Sequence, residues 1–185
     1  MKNEVIKNIP NQILDIDCND FYFDELSSIH ICKKDELENA QLGYRFDPAK
    51  NKKIEKWIGD NYYVIGFDDI CGDPIIIEND SKDFPVYWMW HDNWTTLEKI
   101  SSNVENFISI LKILNKNLNI NEKLYNIKNI ENEFYDFWKN RIDNTMENKV
   151  ENKNNIIGYI RLVFLFVILV ILLFILVILV SILIS

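Results

Sequence analysis

Three apolar runs alternate with polar, turn-forming segments in the middle of the chain. The runs are Tyr62–Phe67, Pro74–Ile77 and Phe84–Trp90, and each is rich in the β-branched or aromatic residues that favour strands. The first connection, Cys71–Pro74, contains a glycine and a proline and predicts a tight turn, whereas Asn79–Asp83 predicts a looser one. The pattern therefore predicts a three-stranded antiparallel meander.

The pattern upstream of this meander is less regular. Ser28–Cys32 and Gln41–Phe46 are predicted to form short strands, and residues 13–26 fit either a short helix or irregular packing. Ala49–Lys56 is a polar, lysine-rich connection with room for one helical turn.

Two helical patterns follow the meander. Apolar residues recur at helical spacing from Val104 to Leu118, directly after a capping-box sequence that begins at Ser102. A second amphipathic helix is predicted from about Glu122 to about Asp143. The predicted fold class is therefore α+β, with a small antiparallel or mixed sheet flanked by helices.

The final hydrophobic segment has no polar face. From Leu162 to Ile184 every residue except Ser181 is apolar, and about 23 residues at about 1.5 Å per residue suffice to cross a bilayer. Basic residues such as Arg141 and Arg161 lie on its N-terminal side, which by the positive-inside rule predicts a cytoplasmic N-terminal part. We predict a single-pass, tail-anchored membrane protein. Residues that represent the anchor are Leu162, Phe166, Leu173, Leu179 and Ile184.

These patterns divide the chain into four predicted parts. Residues 1–120 form a globular domain, 121–146 an additional amphipathic helix, 147–161 a polar linker, and 162–184 the transmembrane anchor.

The charge limits the classes of partner. The formal net charge is −8, and all of it lies before the uncharged tail. An acidic surface disfavours binding to nucleic acid, which requires Lys and Arg to neutralise phosphates. It fits attraction to a basic partner, and equally an acidic surface that serves solubility. The three cysteines form no CxxC motif, so neither a disulfide framework nor a zinc site is predicted.

Candidate catalytic and metal-binding groups are scattered. Asp69 and Asp73 have the oxygen ligands of a hard cation, but their spacing matches no EF-hand loop. His91-Asp92 resembles part of a general-base arrangement, yet the chain has no nucleophile elbow, P-loop or dinucleotide-binding fingerprint. We therefore predict no enzymatic activity, no cofactor, no metal site and no small-molecule substrate.

The third apolar run is unusually aromatic. In a strand, Val86, Trp88 and Trp90 share one face, whereas Tyr87, Met89 and His91 share the other. Either both faces are covered, or one of them presents the large side chains that anchor protein interfaces.

The order of short motifs in this region resembles the SUKH superfamily, which includes fungal cell-wall regulators of the Smi/Knr type and many bacterial immunity proteins. The resemblance covers roughly residues 42–114, from the predicted strands to the helix through Phe107. The segments that carry it are Tyr63–Gly66, Gly72–Ile75, Pro85–Tyr87, His91 and Trp94.

The resemblance implies a SUKH-like α+β fold and a binding module without catalysis. Bacterial members bind a toxin and block its active site, so the expected partner is a cognate basic toxin domain. The alternative is a membrane-anchored regulatory scaffold of the Smi/Knr type that acts in cell-envelope regulation. The acids and aromatics expected to face the partner are Asp68, Asp69, Asp73, Glu78, Asp80, Asp83, Trp88, Trp90, His91 and Asp92.

Overall fold

The computed structural model describes residues 5, 7–17, 19–23, 27–50, 52–143, 162–164 and 166. The chain divides into two compact units, Met1–Asp143 and Asn144–Ser185. In the second unit the described residues, 162–164 and 166, are helical. Among all the described residues, no helix combines the length and the apolar character that a membrane span requires. Most of the predicted anchor, including Leu173, Leu179 and Ile184, lies outside the described residues, so the anchor stays a prediction.

A six-stranded antiparallel sheet is the centre of the first unit. The described residues form eight strands in chain order: β1 (Asp20–Tyr22), β2 (Ser28–Ile31), β3 (Phe46–Asp47), β4 (Lys52–Lys53), β5 (Tyr62–Asp68), β6 (Pro74–Glu78), β7 (Val86–Trp90) and β8 (Asn93–Ser101). The order in the large sheet is β1-β2-β5-β6-β7-β8, and β3 pairs with β4. The predicted meander is confirmed as β5-β6-β7, and so is the α+β class.

Helices accompany the sheet before and after it. They are α1 (Asn11–Leu14), α2 (Val104–Leu114), α3 (Ile120–Ile130) and α4 (135–143), with 3₁₀ turns at Asn39–Gln41 and Asn132–Phe134. Residues 13–26, for which the pattern left two possibilities open, contribute the end of α1 and the edge strand β1. The lysine-rich connection contains β4 rather than a helical turn.

The strand predicted over Gln41–Phe46 is wrong, and the reason is a buried glutamine. The Gln41 side chain donates a hydrogen bond to the Val64 carbonyl oxygen at 2.8 Å and accepts one from the Val64 N–H at 3.2 Å. The side-chain amide thus pairs with the N–H and carbonyl groups of Val64, which a neighbouring strand would otherwise bind. The chain forms a 3₁₀ turn at Asn39–Gln41, and β3 begins only at Phe46.

Strand β8 was not predicted, because two register irregularities interrupt its alternation. The pairing of β7 with β8 shifts between Val86 and Tyr87 and again between Met89 and Trp90. The first shift lets one extra residue into β8 and the second lets in three, so its apolar positions do not recur every second residue. The turn before β8 is only two residues long, since Trp90 lies opposite Asn93.

The helix predicted from about 122 to 143 is broken at Glu131. This residue has an extended backbone, with φ −145° and ψ 90°. Its buried carboxylate accepts hydrogen bonds from the Ser101 hydroxyl and from the Ser102 N–H at 2.8 Å. Ser102 is therefore not the helix cap that the capping-box pattern indicates. The side chain of Asn103 caps α2 instead, by accepting a 2.8 Å hydrogen bond from the Asn106 N–H.

The C-terminal helix completes the core of the sheet domain. Trp138 on α4 is fully buried, and its ring centroid lies 6.4 Å from that of Phe107 on α2. Its indole N–H donates to the Ile100 carbonyl oxygen at 3.0 Å, which fixes α4 against β8. The compact unit accordingly extends through Asp143.

Gly66 on β5 lies opposite Ile31 on β2. A Cβ atom at this position would lie 2.3 Å from the His30 carbonyl oxygen, far inside van der Waals contact. The β5 register also shifts between Val64 and Gly66. A glycine is therefore required for the bulge to fit against its neighbour.

Candidate functional site

The ten residues predicted to face a partner lie at different places along the sheet. The turn after β5 and the turn after β7 meet at one end, which we name the Trp90 end (residues 68–74 and 90–93). The turn after β6 lies at the opposite end, named here the Asp80 end (residues 78–85). Strands of about five residues separate the two ends by roughly 15 Å, so one small contact surface does not include both.

The Trp90 end holds most of the predicted residues. They are Asp68, Asp69, Asp73, Trp90, His91 and Asp92. Glu78, Asp80 and Asp83 lie at the Asp80 end, and Trp88 is in the middle of β7. Asp68, Asp73 and Trp88 are buried. These three side chains cannot contact a partner directly, which corrects their place in the predicted binding surface.

Asp73 joins the two turns of the Trp90 end. One carboxylate oxygen accepts hydrogen bonds from the His91 backbone N–H at 2.9 Å and from the ring Nδ1 at 2.6 Å. The other oxygen accepts from the Trp88 indole N–H at 3.2 Å. A buried carboxylate with several donors holds its neighbours in one arrangement. His91, which in the sequence resembles part of a general-base arrangement with Asp92, is hydrogen-bonded to Asp73.

Asp68 is held by the last described helix of the domain. The Arg141 guanidinium on α4 forms an ion pair with Asp68, and it lies 4.1 Å from the centre of the Trp88 ring. Asp68 also accepts a 2.6 Å hydrogen bond from the Ile70 N–H, which shapes the turn. Arg141 combines ion pairing with a cation–π contact. Sequence reasoning missed this role because nothing in the local pattern links two residues 73 positions apart.

His91 is an oriented and accessible imidazole. Its side chain is 51% exposed, whereas that of Asp73 is buried. The hydrogen bond with Asp73 raises the pKa of His91 above its usual value, and the charges of Asp73, Asp92 and Asp68 act in the same direction. An imidazolium held in this way can donate a charge-assisted hydrogen bond to a carboxylate or carbonyl group of a partner.

Two large apolar side chains are exposed beside this histidine. Ile70 is 59% exposed and Trp90 is 38% exposed. The acids Asp69 and Asp92 flank them, and both are exposed. Sequence reasoning found Trp90 but missed Ile70, which occupies a turn position where an exposed apolar residue is uncommon. The available signal was that Ile70 lies in a turn sequence, between Asp69 and the Gly72-Asp73 pair, where an apolar side chain is expected to be exposed.

The turn that bears Ile70 is supported from behind. The Tyr44 hydroxyl donates to the Gly72 carbonyl oxygen at 2.7 Å, and the Tyr44 ring stacks on Phe67 with centroids 5.9 Å apart. Burial, together with the nearby Asp73 charge, raises the pKa of Tyr44, so the hydroxyl remains a donor at neutral pH. The Asp69 carboxylate accepts a hydrogen bond from the Ser28 hydroxyl. The turn is thereby fixed on both sides.

No protein-family model, curated protein or solved structure matches this chain. The segments from which a SUKH resemblance is inferred lie in the central strands and the residues leading into them: Tyr63–Gly66 is in β5, Gly72–Ile75 leads into β6 and Pro85–Tyr87 leads into β7. The resemblance stays a prediction.

The Asp80 end offers a different surface. Glu78 accepts a 2.8 Å hydrogen bond from the Tyr87 hydroxyl, and the rings of Tyr62 and Tyr87 meet edge to face at 6.0 Å. Burial and the hydrogen bond with Glu78 raise the pKa of Tyr87 strongly. Asp80 and Asp83 are exposed acids in the turn. This end therefore presents mainly solvated charge and no exposed aromatic anchor of the Trp90 kind.

The Asp69 and Asp73 carboxylates, considered as a cation site from the sequence, bind different protein groups. Asp69 accepts from Ser28, whereas Asp73 accepts from Trp88 and His91. Within the described part of the chain, no three His, Cys, Asp or Glu side chains are grouped to hold a metal ion.

Proposed function

We propose that this protein is a non-catalytic binding module whose Trp90 end contacts a basic protein, and that the partner is a toxin domain which the module neutralises. The observation that carries the proposal is the exposure of Ile70 and Trp90 beside acids at one end of the sheet. Tryptophan is among the residues that most often dominate the binding energy of protein interfaces, and burial of the exposed Ile70 would add apolar area. The resemblance to SUKH immunity proteins supports the choice of a toxin.

The rigidity of the Trp90 end favours binding. The buried Asp73 joins the two turns through His91, and Arg141 holds Asp68 beneath them. Side chains that are already ordered lose less conformational entropy when a partner binds. Ile70 and Trp90 therefore extend from turns whose conformation is already fixed before a partner binds.

The charge of the molecule supports a basic partner. The formal net charge is −8, and Asp69 and Asp92 flank the exposed apolar side chains. Opposite charge accelerates encounter and fixes orientation. A nuclease-like toxin, which must carry a basic surface to bind its phosphate substrate, fits this arrangement.

The hydrophobic segment Leu162–Ile184 completes the proposal. Its length and composition are typical of a membrane span, so we infer that the binding module is tethered at the membrane with its N-terminal part cytoplasmic. An incoming toxin would then meet the module where it enters the cell.

The test begins with capture of partners from native cells by the full-length chain, tagged at its N-terminus. A captured toxin domain is then expressed with this protein, and growth is measured. The Ile70→Ser/Trp90→Ala double variant removes both anchors, and we expect at least about 100-fold weaker binding and loss of growth rescue. The matched control is Asp80→Asn/Asp83→Asn at the Asp80 end, which should still rescue growth. Circular dichroism verifies that both variants fold.

Two results would contradict the proposal. Equal rescue by the anchor variant and the control would remove the Trp90 end as the contact surface. Capture of only a resident envelope-synthesis protein, without any growth rescue, would replace the toxin by the partner of a regulatory scaffold. Charge reversal at Asp73 is unsuitable for this test, because that carboxylate is buried and holds the turns together.

A further inference from the structure

A groove of about 420 Å³ lies on the domain beside the edge strand β1. Residues from the end of α1, the following loop, β1 and α2 line it. Its apolar lining consists of the buried Phe21 and the half-buried Ile16 and Ile108. A cavity of this size accommodates a large apolar side chain together with part of its backbone.

The groove follows from the lengths of the two helices. α1 is a single turn that ends at Leu14, whereas α2 continues for 11 residues from Val104. Glu105, Ile108, Ser109 and Lys112 form one stripe of α2 at positions i, i+3, i+4 and i+7, and they line one wall. The short α1 does not cover this stripe along its length.

The rim of the groove is acidic. Asp15, Asp17 and Glu105 are exposed on it, and Lys112 is the one basic residue of the lining. Three carboxylates and one ammonium group give these four residues a formal charge of −2. An apolar floor with an acidic rim is complementary to an amphipathic segment with positive charges beside a large apolar side chain.

We propose that this groove binds a cationic amphipathic peptide segment of a protein partner. One large apolar side chain of the segment contacts the half-buried Ile16 and Ile108 above the buried Phe21, and flanking Lys or Arg residues pair with the acidic rim. The same carboxylates repel anionic lipid headgroups and nucleic-acid phosphates. This inference does not rest on the toxin proposal, because none of the residues that line the groove belongs to the Trp90 end.

The probe is a short synthetic peptide of lysine and leucine with one central tryptophan and a fluorescein label, because the chain's own five tryptophans would mask the indole emission. Its binding to the full chain in zwitterionic detergent micelles is measured by fluorescence anisotropy, and empty micelles provide the blank. Two control peptides replace either the lysines by glutamate or the apolar residues by serine. We expect saturable binding of the first peptide alone, and binding that weakens as salt is added.

Charge variants of the protein locate the contact. The Asp15→Asn/Asp17→Asn/Glu105→Gln variant removes three charges from the rim, and roughly ten-fold weaker binding is expected from the loss of three exposed ion pairs. The Asp80→Asn/Asp83→Asn/Glu133→Gln variant removes the same number of exposed acids elsewhere and should bind nearly as the parent does. Equal weakening in both variants would show attraction by net charge only and would overturn the proposal.

A steric variant tests the cavity itself. Ser109→Trp places a large side chain in the groove from an exposed helical position, and we expect about ten-fold weaker binding. Ser109→Ala should leave the affinity unchanged. Undiminished binding to the Ser109→Trp variant, or no binding of the cationic peptide to the parent protein, would overturn the proposal. The Ile70→Ser/Trp90→Ala variant should bind the peptide normally, which separates this site from the toxin-binding surface.

Discussion

At the scale of single residues, His30 on β2 connects two carboxylates from different parts of the chain. Its Nδ1 lies 2.7 Å from an oxygen of Asp20, and its Nε2 lies 3.2 Å from an oxygen of Glu36. Partial burial lowers the pKa of His30, but the hydrogen bonds and charges of the two carboxylates outweigh it and raise the pKa above its usual value. Because both ring nitrogens face acceptors, the protonated ring fits this place best.

This arrangement predicts a stability that falls as the pH rises. The pKa of His30 is raised in the folded state, so its contribution is fully present below the unfolded pKa of about 6.5 and is lost as the pH rises through the folded value. Urea midpoints measured from about pH 6 to about pH 8.5 should therefore decrease, and they should decrease less for His30→Gln. Parallel pH profiles for the two proteins would contradict the role of this histidine.

At the scale of elements, Glu131 connects the end of α3 to the junction between β8 and α2. The side chain is 7% exposed, and its carboxylate accepts hydrogen bonds from Ser101, Ser102 and Asn106. Glutamine at this position would turn an N–H₂ donor towards other donors, which leaves polar groups unsatisfied in a buried place. The carboxylate therefore explains the helix break and ties it to Ser101 and Ser102, the two residues before the Asn103 cap of α2.

We expect Glu131→Gln to lower the free energy of unfolding by about 1–3 kcal/mol, the usual result of leaving buried polar groups unpaired. Chemical denaturation followed by circular dichroism measures the change. The matched control is Glu133→Gln, two residues away and exposed, for which little change is expected. Similar losses in both variants would mean that the helix break does not depend on the Glu131 carboxylate.

The same elements indicate how far a sequence predicts this fold. The strands β5, β6 and β7 were predictable because their β-branched and aromatic residues favour strands and the residues between them favour turns, so that both signals indicate a meander. Strand β8 was not, since its two bulges disturb the period of two. Gln41 and Glu131 interrupt local patterns through hydrogen bonds to residues 23 and 30 positions away. Hydrogen bonds between residues so far apart in the sequence cannot be detected from the spacing of apolar residues within one segment.

At the scale of the whole molecule, three distant segments meet beneath the Trp90 end. Asp68 ends β5, Trp88 is the middle of β7, and Arg141 belongs to α4. The guanidinium contacts both of the other side chains. Of the candidate site, the sequence predicted Trp90 and His91, whereas Arg141 became visible only once the chain was folded. The contact with Arg141, and not any sequence motif, determines that Asp68 is buried while the neighbouring Asp69 stays exposed.

Removal of this arginine should affect the entire domain. Arg141→Met leaves the buried Asp68 carboxylate without its cation, and we expect a loss of about 3–5 kcal/mol in the free energy of unfolding. The double variant Asp68→Asn/Arg141→Met should lose less than the sum of the two single variants, as a double-mutant cycle measures. Lys139→Met, two residues away in an exposed ion pair, is the control and should change stability little. Additive single losses would contradict a direct coupling.

The pairing of Asp68 with Arg141 also has a consequence for folding during synthesis. The two residues are 73 positions apart, and a ribosome that adds about 5–20 residues per second needs about 4–15 s to cover that distance. During this interval the central strands exist without Arg141 and Trp138, so their aromatic surface stays open to chaperones and to neighbouring chains. The core of the central strands is therefore completed only after α4, the last helix of the domain, has been synthesised.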